Sequence, residues 1–382
     1  MRFAHLGDCH LGGWRQPELR TLNFQSFRTA IDRCINRKVD FVLIAGDLFD
    51  SAYPPIEILK ETFNEFRRLK EAKIPVFLIA GSHDYSVSGK SFLDVLERAG
   101  FCKNVGLFEE RDDELFLEPS RWNNVAIYGY PGKKSGLEVE NIEKIKLQDS
   151  PGFFKILMLH TAIQDAVPTL PIASVNQDAL PKVDYLALSH LHINYCKGNR
   201  AYSGPIFPNN IQELEELKGG TFYIFEDGNI KKEEIRLKDV LVLNLEIKDA
   251  LSATDAIIDK LKREKVRDKI IILKLFGILE TGKSTDINFS KIEAFLKQGG
   301  AYVFLKSTSK LHMPKPDMKM EILESVNLEH QVIEKFKENN PSRFNNLIPY
   351  LINSLQTEKV IDEKLSTFHD RIVTENKRIL GI

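Results

Sequence analysis

The sequence predicts an α/β protein with a largely parallel central sheet, followed by a small α+β module and a helical C-terminal segment. Three observations lead there. Short apolar runs alternate with helical patterns through the first half, an antiparallel pattern follows at about 195 to 235, and a second strand–helix alternation fills about 238 to 315.

The runs RFAHL (2–6), DFVLIA (40–45), PVFLIA (75–80), FKILML (154–159) and DYLALS (184–189) are rich in Val, Ile, Leu and Phe and bounded by Gly, Asp or Ser, as buried strands are. Between the first three lie FQSFRTAIDRCINRK (24–38) and PIEILKETFNEFRRLKEAK (55–73). In the latter, Ile58, Leu59, Phe63, Phe66 and Leu69 recur at helical spacing with charges on the other face. Strand, helix, strand in this rhythm means βαβ units. KKSGLEVENIEKIKLQDS (133–150) reads as a charged surface insertion. CKGNRAYSGPI and GGTFYIFEDGNIKKEEIRL read as short strands, with Asp227-Gly228 as a hairpin turn. VLVLNLEI, ATDAIIDKLKREK, KIIILKLFGIL, FSKIEAFLKQG and AYVFLKST then alternate as strand and helix. The last segment is polar and helical, with Ile361, Leu365, Phe368 and Ile372 in one stripe that either packs on its own domain or docks another protein. The expected divisions are 1–237, 238–315 and 316–382.

A chain of 382 residues with a formal charge of −1 and 43% hydrophobic residues fits a soluble globular protein of two or three domains. Contact with nucleic acid must then come from local patches, since no general excess of Lys and Arg exists. Cys9, Cys34, Cys102 and Cys196 are far apart and form no C-x-x-C pair, which points to a reducing, cytoplasmic compartment. The N-terminal MRFAHLGDCH enters a strand directly and does not read as a signal peptide. IIILKLFGIL contains Lys274 and is too short to span a bilayer, so no membrane partner is expected.

The strands share one feature. Asp8 and His10 follow the first, Asp47 the second, His83 and Asp84 the third, His160 the fourth, and His190 and His192 the fifth. The carboxyl ends of strands are where α/β sheets place their sites. Imidazole with carboxylate and no thiolate suits Mn, Fe, Zn or Co. Such a set suits a two-metal site, with ions roughly 3.5 to 4 Å apart, which makes hydroxide from water at neutral pH and clamps a phosphate. The chemistry indicated is phosphoester hydrolysis.

D-x-H (Asp8 to His10), G-D-x-x-D (Gly46 to Asp50), G-S-H-D (Gly81 to Asp84), His160 and H-x-H (His190 to His192) together resemble the calcineurin-like metallophosphoesterases. RFAHLGDCHLG, IAGDLFDSAYPP and SGPIFPNNIQELEELKGGTFYIFED resemble, within that superfamily, the DNA double-strand-break repair nucleases of the meiotic-recombination-eleven/SbcD type, particularly archaeal ones. The resemblance implies a metallophosphoesterase sandwich, central mixed sheets flanked by helices, over 1–237, a DNA-capping α+β domain over 238–315, and a tail over 316–382 that binds an SMC-like ABC ATPase of the Rad-fifty/SbcC type. It implies two Mn(2+) ions. The first is held by Asp8, His10, Asp47 and His192, and Asp47 bridges to a second held by His160, His190 and the residue at 82. His83 stands beside the scissile phosphate as the catalytic partner. The implied activity is a DNA nuclease, 3′ to 5′ exonucleolytic on duplex ends and endonucleolytic on single strands and hairpins, working as a homodimer in the cytoplasm on the nucleoid.

Two positions depart from the family pattern. Asp50, where some relatives have His, is expected to orient a ligand, as is Asp84. Ser82 replaces the usual Asn, and its shorter hydroxyl predicts a weaker second ion. Trp14, Arg15 and Arg20 are possible DNA contacts on the loop after the first motif. His5 is expected in the core, and Cys9 as a small filler pointing away from its neighbours if the backbone stays extended. The cluster at 262–265 with Arg267 reads as either a phosphate contact or a solvated face. Two rival readings remain: a phosphoesterase for small molecules or phosphoproteins, and a catalytically weakened DNA- and ATPase-binding scaffold, to which Ser82 lends support.

Overall fold

A computed structural model describes residues 1–85, 91–133, 138–169, 171–313, 333–334, 336–338, 340–342, 344–358 and 365–381. The chain divides into two compact units, Met1–Pro314 and Lys315–Ile382.

The first unit is built on two six-stranded sheets. One runs Asn229–Ile235, Gly220–Glu226, Arg2–Leu6, Phe41–Ile44, Val76–Leu78 and Lys103–Asn104 from edge to edge. The other runs Tyr195–Lys197, Arg200–Tyr202, Tyr185–Ser189, Phe154–His160, Val125–Tyr130 and Ser120–Trp122. Their centres are parallel, and every edge strand is antiparallel to its neighbour except Lys103–Asn104, which runs parallel to Val76–Leu78. The sheets stack face to face through Phe3, Phe41, Phe77, Ile127, Ile156, Met158 and Tyr185. Outside the first sheet, the helices Pro17–Asn36 and Ile56–Glu71 bury Phe27, Ile31, Phe66 and Leu69 against Ala4, Leu6, Val42 and Ile44. This sandwich explains why the central strands read as continuous apolar runs: both faces of each are covered. The Asp227-Gly228 turn has φ of 49° and 86°, as a tight hairpin of this kind requires.

The stretch 133–150, expected as a surface insertion, is instead partly integrated. The helix Glu138–Ile142 buries Ile142, and the strand Ile145–Leu147 completes a three-stranded sheet with Glu114–Leu117 and Phe108–Arg111. Ile142 and Ile145 join the core beneath the second sheet, and Glu138 is buried with them, which composition alone does not reveal.

The strands Val240–Glu246, Ile270–Ile278 and Val303–His312 form a separate parallel sheet crossed by the helices Ala250–Leu261 and Phe289–Gln298. Odd residues of the middle strand, Ile271, Leu273 and Leu275, face those helices. Ile270 and Ile272 face the other way and pack on Trp14, Leu19, Leu22, Phe207 and Leu214 of the sandwich. In the second unit, Asn376 Nδ2 donates to Ser354 Oγ at 3.1 Å, linking the helices Ile348–Leu355 and Leu365–Leu380. Ile361 of the expected stripe lies outside the described residues. Among the described residues, no helix is long and apolar enough to cross a membrane.

Candidate metal centre

The donors stand where strands end and the chain turns sharply. Asp8, His10, Asp47, His190 and His192 have φ of 47°, 42°, 51°, 102° and 53°. Side chains rarely adopt this left-handed region, at a cost of about 1–3 kcal/mol each, and such strain clusters at functional sites. Hydrogen bonds between the turns hold it in place. Asp8 N donates to Gly46 O at 3.1 Å, His10 N to Asp47 O at 3.0 Å, and His190 N to both Asp8 carboxylate oxygens at 3.0 Å. Asp84 accepts from Gly81 N at 2.9 Å, Phe49 N at 3.0 Å and Leu48 N at 3.3 Å, so it splices the third strand's turn to the second's. Burial, together with the neighbouring Asp47, lifts Asp84 to about 6 against those amides. Gly81 admits no side chain, because a Cβ would lie 2.3 Å from Asp47 N.

Three imidazoles then converge. His10 Nδ1 lies 3.1 Å from Asp50 Oδ1, His192 Nδ1 lies 3.0 Å from Glu213 Oε1, and His160 Nδ1 lies 3.2 Å from Ala45 O and 2.8 Å from Ser189 Oγ. Each Nδ1 faces an obligate acceptor and so carries the proton of a neutral ring, which leaves each Nε2 lone pair free. Those lone pairs point at buried carboxylates. His10 Nε2 is 3.7 Å and His160 Nε2 3.2 Å from Asp47 Oδ2, and His192 Nε2 is 3.9 Å from Asp8 Oδ1. His160 Nε2 is buried without a hydrogen-bond partner.

Electron pairs facing electron pairs call for positive charge. Burial opposes protonation of His160 and His192, yet Asp47 lifts the first to about 9, and Glu213 with Asp8 lifts the second to about 9. Burial would raise Asp47, but His160 and His10 hold it well below the usual carboxylate range. A divalent cation supplies the same charge as the protons would and fits the donor set. Among the described residues Asp8, His10 and His192 offer one candidate group, Asp8, Asp47 and His160 a second, and His10, Asp50 and His83 a third. Asp47 faces ligands of the first two, and so does Asp8, whose Oδ1 is 4.0 Å from His160 Nδ1.

His83, half-exposed, sets Nδ1 2.8 Å from Asp50 O and its ring edge-on to His10 at 4.8 Å, while its amide donates to Asp47 Oδ1 at 2.7 Å. Ser82 Oγ donates to Asp47 Oδ2 at 3.3 Å. The His190 ring lies 5.0 Å from that of His160, outside all three groups. Burial, then the nearby His160, holds His190 below its ordinary value. Arg15 is exposed, and Arg20 Nε is tied to Trp14 O at 3.0 Å. Trp14 is not available to DNA as expected. It is 6% exposed, donates its indole N–H to Pro208 O at 2.8 Å, and fills the joint between the sandwich and the three-stranded module. A Trp on a polar loop reads as surface in sequence, and only the module's arrival buries it. Cys9 is buried as a filler, although the left-handed turns on either side replace the extended backbone assumed for it.

Asn209, Glu213 and Ser189 escape sequence reasoning as site residues. Asn210-x-x-Glu213 is a helix-start pattern, and Asn210 does cap the Ile211–Leu217 helix. That pattern fixes Glu213 at the first turn without revealing that its Oε1 turns to His192.

The model of the calcineurin-like phosphoesterase family matches residues 1–194. The DNA double-strand break repair protein Mre11 of Methanosarcina acetivorans is 27% identical over 333 residues, covering 83% of this chain and 52% of that protein. The protein of the same name from Sulfolobus acidocaldarius is 28% identical over 314 residues, covering 77% and 79%. An uncharacterized metallophosphoesterase, YhaO of Bacillus subtilis, is 29% identical over 259 residues, covering 63% and 56%. The chain spans about half the length of the first curated relatives it matches, at 52% and 49%. The left-handed turns, the converging imidazoles and the match over 1–194 agree: the chain belongs to the calcineurin-like phosphoesterase family.

Proposed function

We propose that this protein is a manganese-dependent DNA nuclease that processes double-strand breaks. The observation carrying the reading is the convergence of His10, His160 and His192 lone pairs on the Asp8 and Asp47 carboxylates, a donor set made for two cations. Asp8, His10, Asp47 and His192 would hold the first ion, and Asp47, His160, His190 and Ser82 the second. When bound, the two ions would supply a hydroxide nucleophile and positive charge at a phosphodiester. Asp50 and Glu213 fix the tautomers of His10 and His192. His83, exposed at the rim with its Nδ1 on the Asp50 carbonyl, presents Nε2 to the phosphate or leaving oxygen. The names of the Mre11 relatives support DNA as substrate. The reading extends to 3′ to 5′ exonuclease and hairpin endonuclease activity, a homodimer, and an SMC-like ABC ATPase partner docked on the 316–382 tail.

The test gives purified protein manganese with labelled duplex ends, hairpins and an aryl phosphodiester, with Asp47→Asn and His83→Gln in parallel. Metal-dependent DNA cleavage lost in both variants is the expected result. Cleavage of the aryl ester alone would move the substrate to small phosphodiesters, and no hydrolysis at all would leave a scaffold. Deleting residues 340–382 should abolish ATPase association and spare cleavage.

A further inference from the structure

The segment from Phe207 to Glu215 touches two things at once. Towards the metal centre, Asn209 Nδ2 donates to Asp50 Oδ1 at 3.2 Å, the same oxygen that faces His10 Nδ1 at 3.1 Å. Four residues on, Glu213 faces His192 Nδ1 at 3.0 Å with one oxygen and accepts from Asn209 N at 2.7 Å with the other. Both imidazoles of the first position are therefore held by one short stretch of chain. Towards the three-stranded module, Phe207 and Leu214 pack with Ile270, Ile272 and Leu305, and Pro208 O receives the Trp14 indole N–H. Glu215 receives Lys274 Nζ at 2.5 Å from the middle strand of the module.

The second position is held differently. His160 Nδ1 rests on Ala45 O and Ser189 Oγ, at the ends of strands in the two stacked sheets. Nothing in that support comes from 207–215 or from the module.

We infer that the 207–215 segment is a mechanical link through which the docking of the α+β module sets the orientation of His10 and His192, and so the affinity of the first metal position but not of the second. Asn209 and Glu213 are positioning residues, and Lys274–Glu215 with the Trp14 joint is the connection to the module. The physical ground is continuity. Leu214 and Glu215 follow Glu213 directly on a helix of seven residues, too short to bend between them. A shift that frees Lys274 or the Ile270–Ile272 face moves the Glu213 carboxylate with it. An imidazole that loses its Nδ1 acceptor loses both its tautomer and its aim.

This inference rests on the two-metal reading, and manganese binding tests it without reference to turnover. Calorimetric titration of the His160→Gln protein reads the first position, and titration of the His192→Gln protein reads the second. In the His160→Gln background, Glu213→Gln should weaken binding about 10- to 100-fold, the range for a carboxylate behind a metal-bound imidazole. Lys274→Glu should weaken it about 2- to 30-fold, as coupling through a packed network does. Lys274→Met, which keeps the stem and removes the charge, should give a smaller loss in the same direction, and the Lys274→Glu/Glu215→Lys exchange should restore binding. In the His192→Gln background, none of these should change the affinity. If the Lys274 variants leave the first position unchanged, or weaken both positions alike, the link does not exist. If the unsubstituted protein binds no manganese, the two-metal reading falls and the link with it, a result distinct from two intact sites that ignore Lys274.

Discussion

His10 and His192, 182 residues apart in sequence, face each other Nε2 to Nε2 at 3.0 Å. Their Nδ1 atoms are engaged by Asp50 and Glu213, so neither ring can donate across that gap while both are neutral. Two imidazole lone pairs this close would suit a shared borderline cation, which His10 and His192 would hold together. The pair is arranged for a cation before any cation arrives.

The hydroxyl at Ser82 donates to Asp47 and is shorter than an amide side chain. Ser82→Asn should place a carboxamide oxygen towards the second position and tighten that ion several-fold, with the first unchanged. Manganese titration checks this, and two equally tight sites in the unsubstituted protein would contradict it.

Asp84 accepts three backbone amides that join the turns after Phe41–Ile44 and Val76–Leu78. Asp84→Asn replaces one acceptor oxygen with an N–H facing those amides. A loss of about 1.5–3 kcal/mol in unfolding free energy is expected, the magnitude for hydrogen bonds to a charged group. Urea unfolding measures it, and an unchanged midpoint at constant slope would show that the splice contributes nothing.

His5 is fully buried, with Nδ1 2.9 Å from Tyr185 Oη, and burial holds it down at about 3. In the unfolded chain an imidazole titrates near 6.5. Between these values the unfolded chain binds the extra proton, so this contribution to stability is fully present above pH of about 6.5 and drains away as pH falls towards 3, by up to about 1.4 kcal/mol per pH unit. His5→Phe should flatten the slope of stability against pH between about 6 and 4 by close to one proton. Identical slopes in the two proteins would refute the assignment.

Trp14 fills the joint with Phe207, Ile270, Ile272 and Leu305. Trp14→Ala should cost about 3–5 kcal/mol, as for other buried aromatics. Limited proteolysis should then cut first near 236–240, where the chain crosses into the module. Cleavage that starts elsewhere would place the weak point outside this joint.

Much of this site is legible in sequence because each donor lies directly after an apolar run, and a strand's end is where an α/β sheet exposes side chains. What the sequence hides is whatever depends on a second element arriving. Val125–Tyr130 is a fully buried strand of the second sheet, yet Gly129 interrupts its apolar pattern. The glycine is there because Ile79 of the facing sheet would stand 2.5 Å from a Cβ. Trp14 reads as surface until the module covers it, and Glu213 as a helix start until His192 swings beside it. Pairing at a distance, not local propensity, decides all three.

The left-handed backbone at Asp8, His10, Asp47, His190 and His192 sets function against robustness. At each of these positions a glycine would relax the chain, so selection for heat resistance alone would strip the metal donors first and leave a sturdier, inert sandwich. A stabilised descendant of this protein should therefore be judged by its cation binding before its melting temperature.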